Sequence, residues 1–227
     1  MTLRLTIDPL VVDLAVGLVE ASDITIAPPD PALTEYCHSW VARVRASEPE
    51  GGDARRQAVR SLLRAGGFKP SGRNKPAQEY LLRTAADGGP WPVILNAVDV
   101  LNVVSLRSGL PISLVALERA GSSLLVRYGQ PGETFVFNQS GQELDAEGLL
   151  SICRYDGPRT IPVGTPVKDS QFAKVVVSDQ QVLACIFAPQ SAVSPDVLRR
   201  WSNELSEGFL RWCSARQVRV SLEPELW

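Results

Sequence analysis

Two polar segments hold the residue types that could do chemistry. In segment 68–76, FKPSGRNKP, the cations Lys69, Arg73 and Lys75 stand with Ser71 and Asn74 beside a flexible glycine. In segment 164–174, GTPVKDSQFAK, Lys168, Asp169 and Ser170 form a charged, hydroxyl-bearing turn between apolar stretches. Clustered donors on a loop suit a carboxylate, a phosphate or an amino group. Asp169 with Ser170 equally suits a simple turn in which a side chain bonds the backbone. Arg73, Asn74 and Lys75 are candidates for phosphate or ligand contact.

The charge distribution favours the first segment. The chain of 227 residues has a net charge of −2, which argues against a general nucleic-acid coat or a duplex-DNA binder. Over 53–83, however, Arg55, Arg56, Arg60, Arg64, Lys69, Arg73, Lys75 and Arg83 are opposed only by Asp53 and Glu79. That stretch is therefore +6 and the rest of the chain −8. A local basic face on an acidic protein suits a phosphate-bearing partner; a solvated helix face is the alternative.

Other chemistry is disfavoured by what the sequence lacks. Four cysteines (Cys37, Cys153, Cys185, Cys213) share no CxxC spacing and His38 is the single histidine. A Cys/His zinc site is nearly excluded, as is a histidine-based catalytic triad unless His38 carries it. The glycine-rich loops of nucleotide and nicotinamide enzymes are missing, and no metal or organic cofactor is implied. No apolar run approaches the roughly 18 residues of a membrane-spanning helix. The stretch 10–19 is broken by Asp13 and has no basic flank, so it reads as no signal peptide. Reduced thiols and a cytoplasmic location are the default. Glu118, Glu133, Glu143, Asp145 and Glu147 read as surface and turn residues, His38 as a helix residue, and Cys185 as a small buried hydrophobe.

The elements that must position these residues follow from periodicity and punctuation. Strand 2–7 alternates and closes at Asp8-Pro9; 11–19 and 24–26 read as helix or strand. Asp30-Pro31 starts a helix through Trp40 and Val44. Asp53 caps a second helix over 54–65, ended by Gly66-Gly67. Helices are also predicted over 77–86, with Tyr80, Leu81 and Leu82 near the core, and over 98–108. Short strands are expected at 112–117, 124–128, 134–137, near Ile152, at 174–177 and at 182–187. Ser194-Pro195 opens a long helix whose Leu198, Trp201, Leu205, Phe209 and Trp212 make a core stripe, and 218–222 is a final strand. The expected fold class is α+β: one domain with an N-terminal helical and strand layer (1–67), a strand-rich mixed-sheet core (68–190) and a C-terminal helix and strand (191–227).

Segment 71–117 resembles the editing domain of the phenylalanyl-tRNA synthetase beta subunit. The likeness rests on Asn96-Ala97-Val98-Asp99, then Asn102-Val103-Val104, then Gly109-Leu110-Pro111. FKPSGRNKP and PVKDS are closer still to free-standing relatives of that domain, and the similarity runs over about 68–187, half the chain. The resemblance implies a mixed sheet-and-helix fold with a pocket for the acceptor end of a mischarged transfer RNA, whose aminoacyl ester is hydrolysed. It implies that Asn96, Asp99 and Asn102 frame the pocket, although Asp99 can equally cap its helix. Ser113 would line the floor, and Lys168, Asp169 and Ser170 the rim. Two positions depart from the family: its histidine is replaced by Ser113, and the glutamate that meets the substrate amino group falls near Cys185. With no histidine in the pocket, a ribose hydroxyl of the RNA would take the proton from a positioned water. The expected partner is thus a tRNA acceptor end or an aminoacyl ligand, with no membrane. The expected activity is aminoacyl-tRNA binding with deacylation in trans, and no catalytic residue is identified. The alternatives are a binding module for an RNA end, an amino acid or a metabolite, and a structural domain whose basic helix meets an acidic protein.

Overall fold

The computed structural model describes residues 3–224. In chain order the first elements are β1 (Arg4–Ile7), β2 (Leu14–Ser22), α1 (Pro31–Ala46), α2 (Gly52–Arg64), α3 (Ala77–Asp87) and α4 (Asn96–Ser108). Then come β3 (Ile112–Ala116), α5 (Leu117–Ala120), β4 (Ser123–Tyr128), β5 (Thr134–Val136), β6 (Glu143–Asp145), β7 (Leu150–Asp156) and β8 (Arg159–Gly164). β9 (Gln181–Pro189), α6 (Pro195–Trp212) and β10 (Gln217–Glu223) complete a mixed α+β fold.

Local chemistry sets the main helix starts. The Asp30 carboxylate accepts from the Leu33 N–H at 2.7 Å and Pro31 fills the first turn, so α1 begins where a cap and a fixed φ coincide. Ser194 and Pro195 repeat the device at α6. The α6 stripe is buried at Leu198, Trp201, Leu205 and Phe209, with Trp212 partly covered. α2 starts differently from the expectation: Gly51, in the left-handed region at φ 81°, occupies the cap position. Asp53 falls inside the first turn, where its charge faces the positive end of the helix.

One four-stranded sheet has the order β1-β4-β7-β8, with β1 and β4 parallel and the other pairs antiparallel. A second, in the order β10-β2-β9-β3, is antiparallel throughout. Period-two alternation puts this second sheet in the middle of three layers. Ala15, Val19 and Ala21 of β2, with Val182, Ala184 and Ile186 of β9, share a core with α1, α4 and α6. Leu14, Val16 and Leu18, with Leu183, Cys185 and Phe187, face Leu124, Val126, Leu150 and Ile152 of the first sheet. Gly17 lets α6 lie close, because a Cβ there would overlap Ser202 Oγ.

Several expectations need correction. The undecided stretch 11–19 contributes to strand β2, whereas Ile24 and Ile26 are buried in irregular chain. Segment 174–177 is not a strand: Lys174 makes one isolated bridge to Val115. Beyond it Val176 and Val177 are exposed, in a turn closed by Asp179 accepting from the Val176 N–H at 2.7 Å. β6 and β8 correspond to no strand expected from sequence. Tyr80 is 37% exposed rather than in the core; Gln78 and Ala85 are the buried positions of α3. Thr2, the expected start of the first strand, lies outside the described residues.

Candidate functional site

The basic loop is anchored at its ends and open in its middle. Phe68, Pro70 and Pro76 are buried, while a short 3-10 turn over Gly72–Asn74 carries Arg73 outward. Gly72 makes that turn possible with φ 56°. The Ala77 N–H donates to the Pro166 carbonyl at 2.9 Å, so the second polar loop lies directly against the first. Arg73 is close enough to Lys168 to lower its pKa, a shift caused mainly by burial and only secondarily by that charge.

Between the loops and the β5–β6 ribbon runs an open groove of about 870 Å³. Arg73 and Lys168 supply its positive charge, Asn74 and Gln142 its amides, Tyr80 and Phe137 its rings, and Glu143 its carboxylate. Lys168 Nζ lies 3.9 Å from the Phe137 ring centroid, an arrangement that holds the ammonium over the face of the ring. The Lys174 ammonium donates to the Phe137 carbonyl at 3.1 Å. The Tyr80 hydroxyl donates to the Gly72 carbonyl at 3.1 Å and ties α3 to the loop.

Asp169 faces the opposite way from Lys168. It accepts from Ser113 Oγ–H at 2.6 Å, from the Leu114 N–H at 3.0 Å and from the Thr165 N–H at 3.4 Å. Burial pushes its carboxyl up to about 6, against the lowering effect of those three bonds and of the Lys174 charge. Ser113 lies opposite Cys185 across the β3–β9 pair, so the two departures from the editing-domain pattern are neighbours, both buried between the sheets. Burial, and then the Asp169 charge, raise the Cys185 thiol well above its ordinary value. Gly164 admits this cluster, since a Cβ there would overlap Ser113 Oγ. Ser170 is also buried; its N–H donates to the Val163 carbonyl at 3.0 Å. Ser113, Asp169 and Ser170 therefore form neither floor nor rim. They fasten the loop that presents Lys168.

The residues of the editing-domain pattern on α4 are likewise structural in their contacts. Asn96 donates to the Thr25 carbonyl at 2.8 Å and the Trp212 carbonyl at 3.1 Å, and accepts from the Ala27 N–H at 3.1 Å. It thereby joins the entry to α1, the end of α6 and the start of α4. Asp99 accepts from the Ile94 N–H through both oxygens, at 3.0 and 3.1 Å, and burial pushes it up to about 6. Asn102 is half-buried on α4 and does not line the groove. The structure thus gathers Arg73, Asn74 and Lys168 in one place, and Asn96, Asp99, Asn102, Ser113, Asp169 and Ser170 elsewhere. Tyr80, Phe137, Gln142 and Glu143 are groove residues that sequence reasoning missed. From sequence Glu143 reads as a surface and turn residue, and Tyr80 as near the core.

Folding redistributes the basic stretch. Arg55 pairs with Glu50, Arg56 with Asp53, Arg60 with Glu79 and Arg83 with Asp87. Arg64, Lys69, Arg73 and Lys75 have no ion-pair partner among the described residues, so the uncompensated charge concentrates on 64–75. Among the described residues no serine, cysteine or histidine lines the groove, and no three His, Cys, Asp or Glu side chains gather to hold a metal ion. No helix of the described residues is long and apolar enough to cross a membrane. Compared with models of known protein families and with curated proteins, the chain matches none.

Proposed function

We propose that this chain binds the unpaired acceptor end of an aminoacyl-tRNA in the groove between its two polar loops. One observation carries the reading: Arg73 and Lys168, nearly a hundred residues apart in sequence, share a groove with Tyr80 and Phe137. Cations beside aromatic faces are what a flexible single strand needs, phosphates being met by charge and bases by stacking. The resemblance of segments 68–76, 96–111 and 166–170 to editing domains and their free-standing relatives narrows that strand to an aminoacylated RNA end. Glu143 offers a carboxylate for the ammonium of the aminoacyl group, in place of the family glutamate that has no counterpart at Cys185.

Hydrolysis of the ester is the second reading, favoured by the same resemblance. With no serine, cysteine or histidine in the groove, Asn74 and Gln142 would orient the water and a ligand hydroxyl would receive its proton. A panel of correctly and incorrectly charged RNA minihelices tests both readings. Saturable binding that weakens on Arg73→Glu or Lys168→Glu is expected, with log Kd changing by about 0.7 per decade of salt for each phosphate contacted. Ester lifetimes shorter than in buffer identify a deacylase, and unchanged lifetimes on bound ligand identify a carrier. Absence of binding to every member overturns the assignment.

A further inference from the structure

We propose that a second hollow, on the other side of Tyr80, is a phosphate subsite, and that the ligand is therefore a polynucleotide end at least two nucleotides long. The inference rests on the groove reading above and selects among its ligands: it excludes a free amino acid or a lone nucleoside ester as the natural occupant. The hollow measures about 320 Å³ and lies between α2 and α3, walled by Arg56, Arg60, Lys75, Arg83 and Tyr80. Arg56 and Arg60 are one turn apart on α2, and Glu79 and Arg83 one turn apart on α3, so both helices turn a charged face to the same cleft.

Its one acidic wall residue is already engaged. Glu79, with a side chain only 7% exposed, takes Arg60 in a two-pronged pair at 2.6 and 2.6 Å, which fixes that guanidinium in the cleft. The remaining cations are held loosely or not at all. Arg83 reaches Asp87 through an exposed pair and Arg56 reaches Asp53 through another; exposed pairs of this kind give way readily to a better acceptor. Lys75 has no ion-pair partner among the described residues. A phosphate entering here meets three available cations and no free carboxylate on the walls.

Tyr80 is common to both cavities. Its hydroxyl is tethered to Gly72, which fixes the ring as a ridge between hollow and groove. A strand crossing that ridge stacks its terminal base on Tyr80, places the phosphate before that base in the hollow, and extends its terminal ribose and aminoacyl group toward Arg73 and Lys168.

The test is competition against a fluorescein-labelled RNA tetranucleotide, with adenosine, the dinucleotide CpA and inorganic pyrophosphate as competitors. In the wild-type protein CpA displaces the label at a concentration at least about tenfold below adenosine, the size of one charge-assisted contact. Lys75→Gln combined with Arg83→Gln abolishes that difference and lowers the salt slope by about 0.7. Arg73→Gln weakens both competitors alike. Equal potency of CpA and adenosine in the wild type, or an undiminished difference in the double variant, overturns the subsite. If the tetranucleotide does not bind at all, the groove reading fails, and pyrophosphate decides the hollow separately. Pyrophosphate-induced NMR shifts at Arg60, Gly72 and Tyr80 that vanish in the double variant sustain it, and their absence in the wild type refutes it.

Discussion

Replacing Asp169 by Asn should flatten the dependence of stability on pH in a window set by two buried carboxyls. Burial raises the Asp169 carboxyl from 3.8 to about 6, and Asp99 from 3.8 to about 6. The folded chain therefore holds these protons more tightly than the unfolded one. Their stabilising effect is full below about pH 4 and is lost as the pH rises through about 6. A shift near two pH units corresponds to about 3 kcal/mol per group. Glu50 and Asp179 act oppositely, because arginine partners hold their carboxyls below the ordinary range despite an opposing effect of burial. The stability they add is complete above the unfolded carboxylate range and is lost only in stronger acid. Between pH 5 and 7.5 Asp169 and Asp99 thus dominate the carboxylate contribution. In Asp169→Asn, the oxygen still accepts from the Leu114 N–H and the amide can donate to Ser113 Oγ; only the long bond from the Thr165 N–H is lost, so the loop keeps its two shorter fastenings. Urea midpoints measured across that window should fall with pH in the wild type and fall about half as much in the variant. A variant slope equal to that of the wild type would refute the account, as would wild-type stability rising between pH 5 and 7.5.

Other consequences are open to simple measurements. Both amide atoms of Gln78 are sealed from solvent without a hydrogen-bond partner, so Gln78→Met should raise the unfolding free energy by about 1 kcal/mol; a loss of that size would show the amide to be satisfied. Gly164→Ala should cost about 2 kcal/mol in chemical denaturation, since the new methyl meets Ser113 Oγ across the sheets, and a neutral result would mean that the sheets slide apart freely. Burial pushes the Cys37, Cys153 and Cys213 thiols up to about 12, so maleimide at pH 8 should label the folded protein slowly and the urea-unfolded protein at once. Rapid labelling of the folded state would contradict the packing around them.

The parts of this fold legible from sequence are those written locally. Asp30-Pro31 and Ser194-Pro195 place a cap and a fixed φ side by side, and Gly109 at φ 66° ends α4 where expected. β2 was ambiguous because it is buried on both faces, which erases the alternation that marks a half-exposed strand. Segment 174–177 has a β-branched composition, yet only Lys174 reaches the open edge of β3, because Asp179 and Arg119 fasten the chain into a turn directly beyond it. β8 carries Pro162 in its interior, a discouraging signal that is tolerated because the strand lies at a sheet edge.

The site divides along the same line. Arg73 and Lys168 were readable as exposed cations on polar loops. Asp169, one residue further, could not be told from a groove residue, because only the three-dimensional path of the loop turns it toward Ser113. Asn96 and Asp99 show the complementary difficulty: a polar side chain on an apolar helix can satisfy the backbone or await a ligand, and spacing alone does not separate the two. Phe137 and Gln142 reach the groove from a small ribbon that only tertiary packing brings there.

The central place of β2 bears on how the chain acquires its shape. This nine-residue, largely apolar strand finds its neighbours in β9 and β10, more than 150 residues downstream. While the polypeptide is still being elongated, both flanks of β2 lack their hydrogen-bonding mates, and such an unpaired flank is an invitation to intermolecular association. Chaperone demand should accordingly peak late in translation and end when α6 and β10 leave the ribosome and close the middle layer.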